Sequence, residues 1–278
     1  MPILHAIILG ITQGLAEFIP ISSSGHLLLV PWAFGWTDFA NDPQLEKTFD
    51  VALHIGTFVG AFWYFRHDII AMARGAMRSL WRRRIDEPIE KMAWLIVVAT
   101  IPAALVGLLL EDIIVERLGA KWLIGVMLVV FGLVLLWADR RPGSRTDREF
   151  GWRDAALMGA AQALALQPGV SRSGATISMA RGVLGFGRQS AARLSFLMSL
   201  PIIFGAGLFS LVDQLSGPGI PSDFVPAFVW GTVASGFTGF FAIWGTLRFL
   251  RTRSFRPFVV YRVIIGMSVI ALAASPLR

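Results

Sequence analysis

The sequence predicts an all-α polytopic membrane protein, with six transmembrane helices plus two re-entrant helix-loop-helix pairs in an inverted-topology repeat. Three observations predict it. The 278 residues are 55% hydrophobic and 15% charged with a mean hydropathy of +0.65, whereas soluble domains carry roughly 25% charged residues. Two polar loops repeat 149 positions apart: Gly10, Gln13, Leu15, Ala16, Ser22, Ser24 and Gly25 recur as Gly159, Gln162, Leu164, Ala165, Ser171, Ser173 and Gly174, identities at one fixed offset that signal a duplicated unit. Basic residues collect in three short stretches and are sparse between them.

The elements follow in order. Segment 1–47 is apolar but broken at Pro20 and Gly25, which suits a re-entrant pair, because irregular backbone at membrane depth survives only where protein or a wet cavity satisfies it. Met1–His5 holds no Lys or Arg, and Glu17, Pro20 and the serines replace a small-residue cleavage site; the segment is therefore expected to stay in the mature protein. Spans are expected at 48–65, 92–110 and 122–138, completing repeat 1 (1–138). Segment 154–190, broken at Pro168, Gly169 and Gly174, is the second re-entrant pair, and spans 194–212, 224–247 and 258–277 complete repeat 2 (154–278). Each span is long and apolar enough for a hydrocarbon core of about 30 Å, and the whole chain 1–278 makes one membrane domain.

Charge sets the orientation. Residues 66–91 hold seven Lys or Arg, 139–153 five and 248–257 four, and short basic loops mark the cytoplasmic side. Loop 111–121 sets Glu111, Asp112 and Glu116 against Arg117 and Lys121, and 213–223 has Asp213 and Asp223 without a basic residue, so both face outward. Both termini then lie outside. Three spans separate the copies, and three is odd, so one re-entrant loop enters from each side and the two meet near the midplane. The net charge of +7 is consumed by topology and is available to anionic lipid; nucleic acid is not a partner. The absence of cysteine excludes disulfides, thiolate metal sites and a cysteine nucleophile.

The loops carry the chemistry. Ser171, Arg172, Ser173, Gly174 and Thr176 offer a guanidinium fork, hydroxyls and backbone amides to a multiply charged oxyanion, and phosphate fits best. Serines and glycines in membrane helices often serve only packing, but an arginine costs at least about 2.5 kcal/mol at the bilayer centre and needs a partner or a role. In the first loop, Ser22, Ser23 and Ser24 are candidate nucleophiles, and His26 is close enough in sequence to take a serine proton. Glu17, the only carboxylate of the first 37 residues, has three available roles: orienting His26, holding a divalent cation, or neutralising Arg172. Asp50 and His54 lie one helical turn apart near the outer end of span 48–65 and suit a cavity wall.

At these residues the chain resembles the bacterial undecaprenyl-diphosphatases, the bacitracin-resistance proteins, over essentially its full length. The Glu/Gln-x-x-x-Glu motif stands as Gln13-Gly14-Leu15-Ala16-Glu17, followed by Pro20 and Ser22-Ser23-Ser24-Gly25-His26; the second signature stands as Pro168-Gly169-Val170-Ser171-Arg172-Ser173-Gly174-Ala175-Thr176; and Phe258, Tyr261 and Arg262 match an aromatic-Tyr-Arg element. The resemblance implies hydrolysis of undecaprenyl diphosphate to undecaprenyl phosphate and phosphate on the outer face of the inner membrane, recycling the lipid carrier of peptidoglycan synthesis. It implies Ser23 as nucleophile, His26 as its base or the leaving-group acid, and Arg172 holding the diphosphate with Ser171, Ser173 and Thr176. Gln13, Ser22, Ser24, Gly25, Gly169 and Gly174 complete the binding set. Glu17 would serve a divalent cation, Mg²⁺ or Ca²⁺, although Gln13 puts an amide where relatives place a second glutamate. The implied partners are a polyprenyl diphosphate and membrane lipid, with room for a homodimer.

Two rivals are weighed. The two-histidine lipid-phosphate phosphatases share Ser-Gly-His and Ser-Arg pieces, but the histidines here are His5, His26, His54 and His67, with none after Arg172. Their Lys-x6-Arg-Pro element is also missing, since Val134 and Phe249 precede Arg141-Pro142 and Arg256-Pro257 at that distance. The second rival is a transporter or flippase of a lipid phosphate, which would use the same inverted-repeat anion site; only hydrolysis needs Ser23, His26 and Glu17 together.

Overall fold

The computed structural model describes residues 1–39, 42–216 and 219–275, without the side chains of 111–118 and 209–216. The acidic positions expected outside at 111–116 and 213, and the last residues of the span ending at 277, therefore lie wholly or partly outside the described residues. The described residues are mostly helical, and no β-strand forms among them.

Helix α1 (Ile3–Phe18) stops because Pro20 pushes Ile19 into extended backbone, φ −64° and ψ 132°. Helix α2 (Ser23–Phe34) restarts after Ser22, whose φ is 78° and whose hydroxyl accepts from the Gly25 amide. Helix α3 (Pro43–Arg82) begins with Asp42 as N-cap and Pro43 at the first turn, and ends at Arg83, left-handed with φ 53°. Helix α3 corrects two expected boundaries. It starts inside segment 1–47, and it carries the basic residues from Arg66 to Arg82 on helix rather than in a loop, because 66–82 contains strong helix formers and no proline. Only 83–87 connects it to α4 (Pro88–Leu118), and Glu90 staples that corner, buried, accepting from Arg82 and from the backbone amides of Asp86 and Glu87.

Helix α5 (Lys121–Arg140) is followed by α6 (Trp152–Leu164), a break, and the short α7 (Arg172–Ser178), which runs into one π-turn at Met179–Val183. Helices α8 (Arg188–Ser216), α9 (Val225–Phe249) and α10 (Arg256–Ala273) complete the chain. Among the described residues, five helices are long and apolar enough to cross a membrane: Pro88–Leu110 of α4, α5, Arg188–Leu208 of α8, α9 and α10. The expected span 48–65 lies in α3, which is not among the five. Leu109, Phe237 and Trp63 stay exposed on the helix faces, an apolar surface suited to lipid.

The packing is reciprocal between the halves. Helix α1 packs on α9 and α6 on α4, while α5 packs on α10. The echoed glycines make the first two contacts: a Cβ on Gly10 would lie 2.3 Å from the Gly231 carbonyl oxygen, and one on Gly159 would lie 2.7 Å from that of Ala99. Close backbone approach through small residues is how helices associate where no water drives them together.

Candidate active site

Both chain breaks end in the same device. Ser171 has φ 73°, caps α7 and accepts from the Gly174 amide at 3.1 Å, as Ser22 does for Gly25 in α2. Left-handed backbone is costly for a residue with a side chain, and it persists at functional sites where the surroundings enforce it. The surroundings here are the opposite break. The Gly169 amide donates to Ser22 Oγ at 3.1 Å, and the Ser173 hydroxyl reaches the Ile19 carbonyl at 3.5 Å. Gly169, with φ 93°, leaves no room for a side chain, since a Cβ would lie 2.7 Å from the Ile124 carbonyl oxygen.

Arg262 ties the two breaks together. Fully buried, it donates to the carbonyls of Pro20 at 3.1 Å, Gly169 at 2.9 Å and Val170 at 3.0 Å, and to Leu128 and Met127 of α5. Three of its five carbonyl partners, Pro20, Gly169 and Val170, are bare backbone oxygens that the two broken helices leave inside the protein.

The device places Ser23 and Arg172 each at the first helical position after a left-handed serine, and the two meet on Glu17. Arg172 Nη2 donates to Glu17 Oε1 at 2.5 Å, Ser23 Oγ donates to Glu17 Oε2 at 2.6 Å, and Gln13 Nε2 donates to Oε2 at 3.0 Å. His54 Nε2 stands 3.6 Å from Glu17 Oε2. The His54 Nδ1–H donates to the Asp50 carbonyl at 2.7 Å, which fixes the tautomer and leaves Nε2 facing the carboxylate. Among the described residues, two buried atoms beside this carboxylate lack a partner: Arg172 Nη1, a donor, and Gln13 Oε1, an acceptor.

A cavity of about 290 Å³ opens on these groups. Glu17, Ser22, Ser23, Ser24, His54, Ser171 and Arg172 form its polar side, and Val51, Leu166, Ile202 and Ile203 its apolar side. A free guanidinium nitrogen beside hydroxyls and an apolar wall can hold an oxyanion that carries a hydrocarbon tail. The remaining expected residues sit behind it. Gly25 and Gly174 supply the capping amides, and Thr176 turns to the Ser195 hydroxyl at 2.7 Å and to backbone carbonyls.

The structure does not bring His26 to Ser23. Its Nδ1–H donates to the Ser22 carbonyl at 2.7 Å, so Nε2 accepts from the Tyr261 hydroxyl at 2.9 Å, with the two rings stacked. The histidine at the carboxylate is His54, for which the sequence signal was a polar pair, Asp50 and His54, one turn apart in an apolar window. Among the described residues no three His, Asp or Glu side chains cluster as a metal cage. The donor set still suits a hard cation: Glu17 is a carboxylate at the cavity, Gln13 Oε1 is an amide oxygen lacking a donor, and such ions complete their shells with phosphate oxygens.

The long apolar helices and the buried arginine-carboxylate-serine site together define a multi-pass membrane protein with a charged site inside its helical bundle. The chain belongs to the family of the bacitracin resistance protein BacA, whose model matches residues 6–268. It is 45% identical over 276 residues to an undecaprenyl-diphosphatase of Pelotomaculum thermopropionicum, covering 99% of this chain and 98% of that one. An undecaprenyl-diphosphatase of a Nocardioides species is 43% identical, with 98% and 97% covered, and undecaprenyl-diphosphatase 2 of Stutzerimonas stutzeri is 40% identical, with 98% of each covered.

Proposed function

We propose that this protein is an undecaprenyl-diphosphatase, a membrane hydrolase that converts undecaprenyl diphosphate to undecaprenyl phosphate and inorganic phosphate. It thereby recycles the carrier lipid for cell-wall synthesis and gives resistance to bacitracin. The observation that carries the reading is the Glu17 junction, where a serine hydroxyl and an arginine with one unmatched terminal nitrogen share a carboxylate that lines a cavity with one polar and one apolar side.

The diphosphate takes the free Arg172 Nη1 and the serine hydroxyls, with the isoprenoid against Ile202 and Ile203. As phosphate oxygens draw on Arg172, Glu17 loses its strongest counter-charge and becomes the better acceptor for the Ser23 proton. Ser23 Oγ attacks the terminal phosphorus; the Oγ–P bond forms, the bridging P–O bond breaks, and undecaprenyl phosphate leaves. Glu17 takes the Ser23 proton and His54 Nε2 relays it to the departing phosphate oxygen; a water molecule then attacks the phosphoserine, giving a proton to Glu17 that returns to Ser23 Oγ as phosphate leaves. Mg²⁺ or Ca²⁺, held by Glu17 with Gln13 Oε1, would neutralise diphosphate charge. Gln13, Ser22, Ser24, Gly25, Gly169, Ser171, Ser173, Gly174 and Thr176 shape the cradle, and His26 steadies it through Ser22 and Tyr261.

The proposed setting is the bacterial inner membrane, with both termini and the cavity on the outer side. The proposed architecture has six spans, α3 among them, and two re-entrant pairs, α1–α2 and α6–α7, in inverted repeats 1–138 and 154–278. The reciprocal contacts of α1 with α9 and α6 with α4 support it. Purified protein with Mg²⁺ or Ca²⁺ is expected to release phosphate from undecaprenyl or farnesyl diphosphate, and Ser23→Ala and Arg172→Ala are each expected to lose at least about a hundredfold in rate. Release of no phosphate, with lipid phosphate instead moving across vesicles containing the protein, would establish a transporter.

A further inference from the structure

A second cavity, of about 520 Å³, lies at the other level of the molecule. Arg140, Arg141, Arg181, Arg188, Arg253 and Arg256 line it. Along α8, Arg188 at this cavity and Ile202 at the first are separated by fourteen residues, about 21 Å at the helical rise of about 1.5 Å per residue, so the two do not share ligands.

Topology alone explains basic residues near a membrane surface, and it requires no cavity. Here four separate segments converge: the end of α5, the π-turn, the start of α8 and the 252–256 connection. The one carboxylate among them, Asp139, is already taken: Oδ1 accepts from Arg188 Nε at 2.5 Å and Oδ2 accepts from the Phe255 amide at 3.3 Å. Arg140, Arg253 and Arg256 have no acidic partner among the described residues, and Arg141 rests over the Trp137 ring. Arg181 is only 6% exposed. Its two terminal nitrogens donate to the carbonyls of Gly143, Phe186, Arg141 and Asp139, while its Nε, fully buried, has no acceptor. A π-turn often marks a functional position in a helix, and this one carries the arginine with the unmatched donor.

We infer that this arginine-lined cavity is a second anion site that takes a phosphate group, presented either by an anionic lipid headgroup or by free inorganic phosphate. Several guanidinium groups converging on a cavity whose single carboxylate is already bonded are the recognition chemistry of a multiply charged oxyanion. The volume exceeds that of a bare phosphate and leaves space for the alcohol of a headgroup.

The test uses the full chain in detergent with three forms: wild type, Arg172→Gln, which blinds the first site to phosphate, and Arg253→Gln/Arg256→Gln, both at the exposed rim. Inorganic phosphate is titrated while the melting temperature is read. Phosphatidylglycerol retained from mixed phosphatidylcholine vesicles is read by native mass spectrometry. Arg172→Gln is expected to keep a phosphate-dependent upward shift or preferential phosphatidylglycerol retention. The rim variant is expected to weaken that response at least about tenfold while still releasing phosphate from farnesyl diphosphate as wild type does. Response to phosphate alone assigns the free ion, and response to phosphatidylglycerol alone assigns the headgroup; either supports the site. Absence of both responses from wild type and Arg172→Gln, or equal responses in wild type and the rim variant, overturns it. Because the rim variant leaves the first site intact, failure here is distinguishable from failure of the phosphatase reading, which would abolish phosphate release in every form.

Discussion

Glu17 shows how one residue can hold a resting site together and still be ready to act. Its carboxylate offsets the cost of burying Arg172 at membrane depth, and the same group accepts the Ser23 proton in a bond of 2.6 Å. The assignment of proton traffic to His54 follows from hydrogen-bond direction. His54 Nδ1–H is spent on the Asp50 carbonyl, so Nε2 faces Glu17, while both ring nitrogens of His26 are occupied by Ser22 and Tyr261. His54→Ala is therefore expected to lower kcat about a hundredfold or more, in the range for loss of a general acid-base group, with the pH profile flattened on the limb it governs. His26→Ala is expected to act through the cradle, changing KM and thermal stability more than the pH profile. Steady-state kinetics across pH on both variants decides this; an unchanged profile in His54→Ala would return the acid-base role to His26.

At the scale of elements, the two broken helices exist because their bare carbonyls have a shared answer in Arg262. Arg262→Met keeps the bulk of the side chain but leaves the Pro20, Gly169 and Val170 carbonyls without a donor. Orphaning several buried acceptors costs about 3 kcal/mol or more. A substantial drop in thermal midpoint, with weak or absent phosphate release in whatever folds, is expected by scanning calorimetry and activity; wild-type values for both would remove Arg262 from the brace. The breaks themselves were legible at Pro20, Pro168 and Gly169, whereas Gly25 and Gly174, also read as break points, lie in the first turns of α2 and α7. The pairing of Glu17 with Arg172 was one of three roles the sequence left open for that carboxylate, while the Ser23 bond to Glu17 was not read, because sequence spacing assigned Ser23 to His26. The partner of each histidine was not legible. Sequence spacing put His26 three residues from Ser23, but the left-handed turn at Ser22 starts a helix there, and the ring folds back onto the Ser22 carbonyl. The bracing role of Arg262 was not legible because its partners are backbone carbonyls from three distant segments, which leave no trace in residue identity. The length of α3 was missed for a similar reason: charge marks where a span leaves the membrane, whereas only Arg83 marks where the helix ends.

For the whole molecule, the proposed inversion makes a directional claim that packing cannot carry alone. Helices α1 and α6 repeat one sequence, yet each packs on the middle long helix of the opposite half, as expected if two copies face each other across a central axis. If the halves are inverted, Gly35 after the first short pair and Ala120 between α4 and α5 face the same side, and Arg84 and Ser254 face the opposite one. The chain contains no cysteine, so single substitutions to cysteine at these four positions give unambiguous labels. In intact cells, a membrane-impermeant maleimide is expected to label Gly35→Cys and Ala120→Cys strongly, and to label Arg84→Cys and Ser254→Cys only after permeabilisation. Labelling of all four in intact cells, or of Gly35→Cys and Ala120→Cys on opposite sides, would break the odd count of spans on which the inversion depends. The catalytic proposal depends on the same geometry: Ser23 comes from one copy and Arg172 from the other, at equivalent positions after equivalent serines. In the proposed inverted arrangement, copies entering from opposite faces bring those two positions onto one carboxylate.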